Sequence, residues 1–301
     1  ISPRPASQRA AALILTAALL TGAAFPAFAD TYYIENGDIT ISAGKDGNDV
    51  TQNEKTTYGD KDTVITNQKT DTASSNTVTI ETKDKDDKVE VTLKDVNIEA
   101  TIDKAAMSVT GSGNTTIKLD GDNHLTGGNG SSGISSSGSL TITGGETDSL
   151  TAKGGSGEDG GDGIFSKDLT ISGGTVTATG GDSTGSDGSG SYGIFSTNTT
   201  TISGGTVTAT GGDSTGSYSS GGYGIYSSGV TISGGTVTAN GGSGKDGSGD
   251  GIFSFDPVAI SGGTVTAKGG SGEDGKDGGD GIRSFDPVAI SGGTVTAKGG
   301  S

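Results

Sequence analysis

Apolar residues along this chain recur in a fixed phrase. Residues 170–178 read Thr-Ile-Ser-Gly-Gly-Thr-Val-Thr-Ala, and the phrase returns at 201–209 and 231–239, at 259–267 and 289–297 with Ala in first place, and loosely at 141–152. Its isoleucines Ile171, Ile202, Ile232, Ile260 and Ile290 lie 31, 30, 28 and 30 residues apart. A fixed period with variable filler marks a repeat architecture. Ile171, Val176 and Ala178 alternate with polar residues, several of them β-branched, so each half of the phrase predicts a short strand with one face inward. Gly173-Gly174 breaks the two strands apart, because glycine tolerates a sharp corner. A third element, Gly-Ile, precedes each phrase at Ile134, Ile164, Ile194, Ile225, Ile252 and Ile282. The prediction is an all-β fold, a right-handed parallel β-helix (solenoid) with three short strands per coil. At ~4.8 Å per coil, eight or nine coils make a rod about 40 Å long.

The pattern weakens toward the start. From Asn76, apolar Val78 and Ile80, Val89, Val91 and Leu93, then Val96 and Ile98 alternate with polar residues, so the regular repeats are placed at 76–301. Residues 30–75 are polar and irregular, with Ile39-Thr40-Ile41 and Val64-Ile65 as candidate strands. They are expected to form irregular coils or a cap over the solenoid's open end. Residues 1–29 have the pattern of a signal peptide: Arg4 and Arg9, an apolar run over 10–24, and Ala27-Phe28-Ala29 before Asp30. The last 18 residues, 284–301, repeat 254–271 without a change. An uncovered solenoid end exposes strand edges, so further repeats or an anchoring domain are expected beyond Ser301.

Composition narrows the function classes. The chain has Gly 59, Cys 0, Trp 0 and 28% hydrophobic residues. Such a composition suggests disorder, but a solenoid needs only a thin continuous core. Without cysteine there is neither a disulfide framework nor a thiolate metal site. The formal charge is −17, and loss of Arg4 and Arg9 with the leader makes it −19. That surface repels phosphate backbones, so nucleic acid is not an expected partner. With the leader removed, no membrane segment is expected, and the protein is placed in the secreted or cell-surface class.

Two constellations carry candidate chemistry. The residue after each Gly-Ile is Ser135, Phe165, Phe195, Tyr226, Phe253 and Arg283 in turn. Alternation puts it opposite the isoleucine, and burying an unpaired guanidinium is prohibitive, so this column is expected outside. Phe165, Phe195, Tyr226 and Phe253 then form an exposed ladder, either a binding surface or a bed on which loops pack. Planar rings suit the C–H faces of sugars. The second constellation is acidic. Residues 154–159, 241–246 and 269–274 match the first six positions of the calcium-binding nonapeptide, and the match then fails. Asp159 with Asp162, Asp246 with Asp250, and Asp274 with Asp280 could gather calcium; otherwise these are solvated flexible loops. The paired threonines (Thr175/Thr177, Thr206/Thr208, Thr236/Thr238, Thr264/Thr266, Thr294/Thr296) suggest an ice-binding array, although threonine is also the ordinary residue of an exposed strand face. The single His124 lies in a polar turn, and Arg283 is the only arginine after the leader. Repeated surfaces suit binding better than catalysis, so an enzyme is not expected, and a lyase is suggested only by analogy of fold.

From about Val89 to Ser301 the chain resembles a family of bacterial secreted parallel β-helix proteins described as carbohydrate-binding. The resemblance rests on Val91-Thr92-Leu93-Lys94-Asp95-Val96-Asn97-Ile98, on the strand 115–119 followed by Gly121-Asp122-Asn123, and on the recurring phrase. It implies binding of plant or acidic polysaccharides, helped by calcium, on the side of the solenoid. The expectation is therefore an extracellular polysaccharide binder. The alternative is a structural stalk or adhesin-like surface protein.

Overall fold

The computed structural model describes residues 30–186, 188–272 and 277–301. Residues 1–29, with the expected signal peptide, lie outside the described residues. The chain is a right-handed parallel β-solenoid of about 9 turns. One coil runs through Ile164–Ser166, Asp168–Ile171 and Thr175–Thr179. In the next two coils the first two strands fuse, as Ile194–Ile202 and Ile225–Ile232, followed by Thr206–Thr210 and Thr236–Asn240. The last described coils are Ile252–Ser254, Val258–Ile260 and Thr264–Lys268, then Ile282–Ser284, Val288–Ile290 and Thr294–Lys298.

Equivalent residues stack in register, with one irregularity between Ser196 and Thr199 in the fused strands. Ile164, Ile194, Ile225, Ile252 and Ile282 are register partners in sequence, as are Val176, Val207, Val237, Val265 and Val295. The third strands form an eight-stranded sheet from Asn97–Glu99 to Thr294–Lys298. Isoleucines of the first two strands and Val and Ala of the third point inward and are fully buried through Ala267. This period-two burial makes one apolar thread along the rod, which is how a chain so poor in apolar residues forms a core.

Corners need their own chemistry. Ser166, Ser196, Ser227 and Ser254 stand third in the Gly-Ile segment of their coils, counting from its isoleucine, and point inward, all fully buried. Their hydroxyls are satisfied locally: Ser166 and Ser196 Oγ lie 3.2 Å apart, and Ser254 Oγ donates to the Asp256 carbonyl at 2.7 Å. Buried polar groups that close a turn in this way avoid the cost of being orphaned. At the second corner Gly174, Gly205, Gly235, Gly263 and Gly293 adopt φ of 79–80°, a left-handed conformation that disfavours any Cβ.

The parallel pairing starts before residue 76. Thr31–Tyr33 pairs with Val64–Thr66, which pairs with Lys88–Lys94, and Ile39–Ala43 pairs with Val78–Thr82. On that first rung an antiparallel meander is built, Ile39–Ala43 to Asn48–Gln52 to Lys55–Asp60. Asn48, Thr63 and Asp60 tie it down: Asn48 Nδ2 donates to Thr63 Oγ1 at 2.9 Å, and Thr63 Oγ1 donates to Asp60 Oδ2 at 2.8 Å.

The described parts of the glycine-rich segments do not behave as free loops. Each leaves the third strand, doubles back and zips to its neighbours. Gly161 N–H donates to Gly155 O (2.8 Å), Gly181 to Gly161 (2.7 Å), Ser191 to Gly181 (3.3 Å), Gly212 to Ser191 (2.7 Å) and Gly222 to Gly212 (2.9 Å). The chain of bonds continues through Gly242, Gly249, Gly270 and Gly279 to Gly300. Outgoing and returning segments thus alternate in a fin packed so closely that a Cβ on Gly212 would overlap the Gly181 carbonyl oxygen. The glycines are there for close approach as well as for turning.

Candidate functional site

The column after Gly-Ile lies outside, as alternation requires. Phe165, Phe195, Tyr226, Phe253 and Arg283 are register partners on five successive coils. Four further rings join them: Tyr192 and Tyr223 from the base of the fin, and Phe255 and Phe285 from the first corner. Phe165 meets Phe195 edge-on at 5.2 Å between centroids. Phe195 meets Tyr192 and Tyr226 edge-on at 5.2 and 5.1 Å. Tyr226 then lies parallel to Tyr192 (4.9 Å, 7°) and to Phe253 (5.1 Å, 9°), and Tyr223 stacks on Phe253 (5.2 Å, 21°). Phe255 stands perpendicular to Tyr226 and Phe253. These are the offset and edge-to-face geometries that ring quadrupoles favour.

The ladder pictured from sequence, with each ring face free, is therefore altered. Tyr192, Tyr223, Tyr226 and Phe253 spend their faces on one another, and Phe253 is only 6% exposed. Free ring surface lies at Phe255, 43% exposed although a full coil follows it. Arg283 is the cation of this strip. Its Cζ sits 5.8 Å from the Phe253 centroid and 5.9 Å from that of Phe285. The arginine in this aromatic column thus makes cation–π contacts with Phe253 and Phe285.

A second column runs beside the first. Two residues before Ile164, Ile194, Ile225, Ile252 and Ile282 stand Asp162, Tyr192, Tyr223, Asp250 and Asp280. Asp162 carboxyl accepts the Tyr192 N–H at 2.9 Å, and Asp250 Oδ1 accepts the Asp280 N–H at 2.6 Å. Burial pushes Asp162 up to about 6, with the Tyr192 N–H opposing. Burial likewise raises Asp250, which is 3% exposed and whose Oδ2 has no hydrogen-bond partner among the described residues. The Tyr192 phenol is pushed up to about 12 by the same cause. The sequence does contain the signal for this column, a recurring Asp/Tyr-Gly-Ile, but it shows only when the coils are aligned one over the other.

The acidic pairs are arranged differently from a calcium cage. Asp162 and Asp250 are held against the backbone of the next coil, whereas Asp159 and Asp280 are exposed. Asp246 bonds through its N–H to the Ser219 carbonyl at 2.9 Å, and Asp274 lies outside the described residues. Among the described residues no group of three or more His, Cys, Asp or Glu side chains is gathered to hold a metal ion. No helix of the described residues is long and apolar enough to cross a membrane.

Comparison with known proteins bears on the fold. The Beta helix repeat family model matches residues 169–194, 201–225, 230–252, 258–282 and 288–301. No curated protein matches the chain. Among solved structures it is similar to the polysaccharide lyase-like protein from C. thermocellum, determined as a gadolinium derivative. The two share 19% identity over 85% of this chain and 99% of that one, with a TM-score of 0.51. At that identity the likeness establishes the β-helix fold. It also corrects the expectation that this chain is not an enzyme. That expectation rested on the repetitive surface, and a protein named as lyase-like shares this architecture, so repetition gives no ground for excluding catalysis.

Proposed function

We propose that the chain is an extracellular protein that binds polysaccharide along the aromatic strip on the side of the solenoid. The observation that carries this reading is the strip itself. Eight rings from five coils form one continuous strip, with free ring area at Phe255 beside exposed carboxylates and the tyrosine column. Apolar patches of this kind, rimmed by polar groups, mark interaction sites. The solved structure it resembles is named for polysaccharide lyase-like character, which supports a carbohydrate partner. Secretion is supported by the leader pattern of residues 1–29.

A second reading has one observation behind it. Because most ring faces are spent within the strip, the rings could serve to zip the coils of a structural stalk. The two readings separate by position. Phe255→Ala with Phe285→Ala removes exposed ring area, whereas Tyr226→Ala removes an internal stacking partner. Retention of the purified protein on immobilised polysaccharides, with and without calcium, tests the first reading. A binder loses retention in the Phe255/Phe285 variant while keeping its melting temperature. A protein with no retention on any polysaccharide is a stalk. Ultraviolet absorbance of unsaturated sugar products, followed in the same incubations, tests for cleavage.

A further inference from the structure

We infer that the strip selects glycans carrying free amino groups, polymers of hexosamine, over polyuronates and neutral chains. The inference rests on the binding reading above and gives it a substrate class. Three observations converge on it.

The first is charge. The chain carries −17 overall, a field that repels a polyanion and concentrates a polycation at low salt. The second is the local rim. Asp256 and Asp286 follow Phe255 and Phe285 in sequence. Both are exposed, and neither forms an ion pair among the described residues, where the ion pairs are Lys94–Asp120, Lys104–Asp38 and Lys118–Glu90. The third is the most direct, and in it the Arg283 charge also acts on the neighbouring Asp250 carboxyl. The strip already takes a cation on its rings. Arg283 lies over Phe253 and Phe285, and no carboxylate among the described residues comes within ion-pair distance of it. Ring faces that hold the protein's own guanidinium present the same negative quadrupole to an ammonium group on a sugar. Phe255, perpendicular to Phe253 and 43% exposed, offers the adjoining apolar surface for the pyranose C–H face.

Arg283 makes the inference decisive, because two ligand classes assign it opposite roles. If the ligand is a uronate, Arg283 is the counter-ion and its loss abolishes binding. If the ligand is an amino sugar, Arg283 competes for the rings and repels the ligand, so its loss strengthens binding.

The test uses three soluble oligosaccharides of matched length: a glucosamine oligomer with free amines, its fully N-acetylated counterpart, and a galacturonate oligomer. Binding is measured by calorimetry in mildly acidic buffer, where the amines are protonated, at low salt and near ~1 M salt, where the Debye length is about 3 Å. The expected result is tightest binding to the glucosamine oligomer, weakened by salt. Arg283→Gln should tighten it two- to fivefold, and Phe255→Ala with Phe285→Ala should weaken it by at least about fivefold, the scale of an exposed cation–π contact. Preference for the galacturonate oligomer, or loss of binding in Arg283→Gln, overturns the inference and leaves the carbohydrate reading standing. Equal binding of the acetylated oligomer does the same. Binding of the amine that is unchanged in the Phe255/Phe285 variant also overturns it, since the attraction is then to the acidic surface at large. Absence of binding to all three, together with no retention on any neutral polysaccharide, overturns both readings.

Discussion

Replacing Gly205 by Ala probes the corner that every coil shares. Gly205 has φ +79°, and a Cβ there would lie 2.5 Å from the Gly174 carbonyl oxygen of the coil below. That oxygen is the one that accepts the Thr206 N–H at 2.9 Å. Two costs therefore combine. Holding an alanine in the left-handed region costs about 1–2 kcal/mol. Relieving the clash moves the coils apart at the Thr206 bond, and a weakened backbone hydrogen bond costs about 1 kcal/mol more. The expected destabilisation is roughly 2–3 kcal/mol, with the corner moving as a unit because neighbouring coils are in contact. Gly229→Ala is the matched control. It lies in a strand without a positive φ, and the nearest atoms to an added Cβ are Thr199 Cγ2 at 3.8 Å and Asp256 Cβ at 3.9 Å. That substitution should be neutral or stabilise by about 0.4–1 kcal/mol through the unfolded chain. Urea titration followed by far-ultraviolet circular dichroism measures both variants. Equal midpoints for Gly205→Ala and Gly229→Ala would refute the corner geometry and the close stacking inferred from it.

Other outcomes follow from the same structure. Gly222→Ala, whose Cβ would overlap the Ser191 carbonyl oxygen, should destabilise the fin and raise hydrogen exchange at Gly212, Gly222 and Gly242; a loop free in solvent would show no change. Tyr226→Ala removes ring contacts to Tyr192, Phe195, Tyr223, Phe253 and Phe255 and should cost about 2–3 kcal/mol, whereas Phe285→Ala should cost under about 0.5 kcal/mol; similar melting temperatures for the two would contradict the stacking. Asp162→Asn should stabilise the protein at neutral pH. Its carboxyl is raised from 3.8 to about 6 by burial, so the fold disfavours the ionised form. The penalty is absent below pH 3.8, grows between 3.8 and about 6, and is complete above that. Two pH units correspond to roughly 3 kcal/mol, and the partly exposed position brings the expected gain to about 1–2 kcal/mol. Asn can still accept the Tyr192 N–H, so a melting-temperature gain that persists at pH 3 would argue against the charge as its cause.

The repeat period, the strand faces and the outward aromatic column were all legible in the residue pattern. That follows from the physics of a solenoid: each coil contacts only its neighbours, so local alternation and a fixed period determine which side chains share a face. Ile171 had to be inside and Arg283 outside for reasons contained within one coil. The site was only half legible. Tyr192 and Asp162 stand in one column because coils whose glycine segments differ in length are brought into register at Gly-Ile, and linear spacing does not display that alignment. Ring orientation was hidden as well, since whether Phe253 offers its face or buries it depends on Tyr226 one coil below and Arg283 one coil above.

The glycine-rich segments mark the boundary most clearly. By composition they look like flexible, calcium-seeking loops, because Gly, Ser and Asp favour turns and solvation. Only stacking shows that the Gly181 carbonyl accepts from Ser191 while its own N–H donates to Gly161, which turns loops into a packed fin. The sequence by itself determined what lies inside a coil and what lies outside it. The tertiary structure decided which outside groups meet, because those contacts run between coils about thirty residues apart and depend on backbone approach that no single repeat can specify.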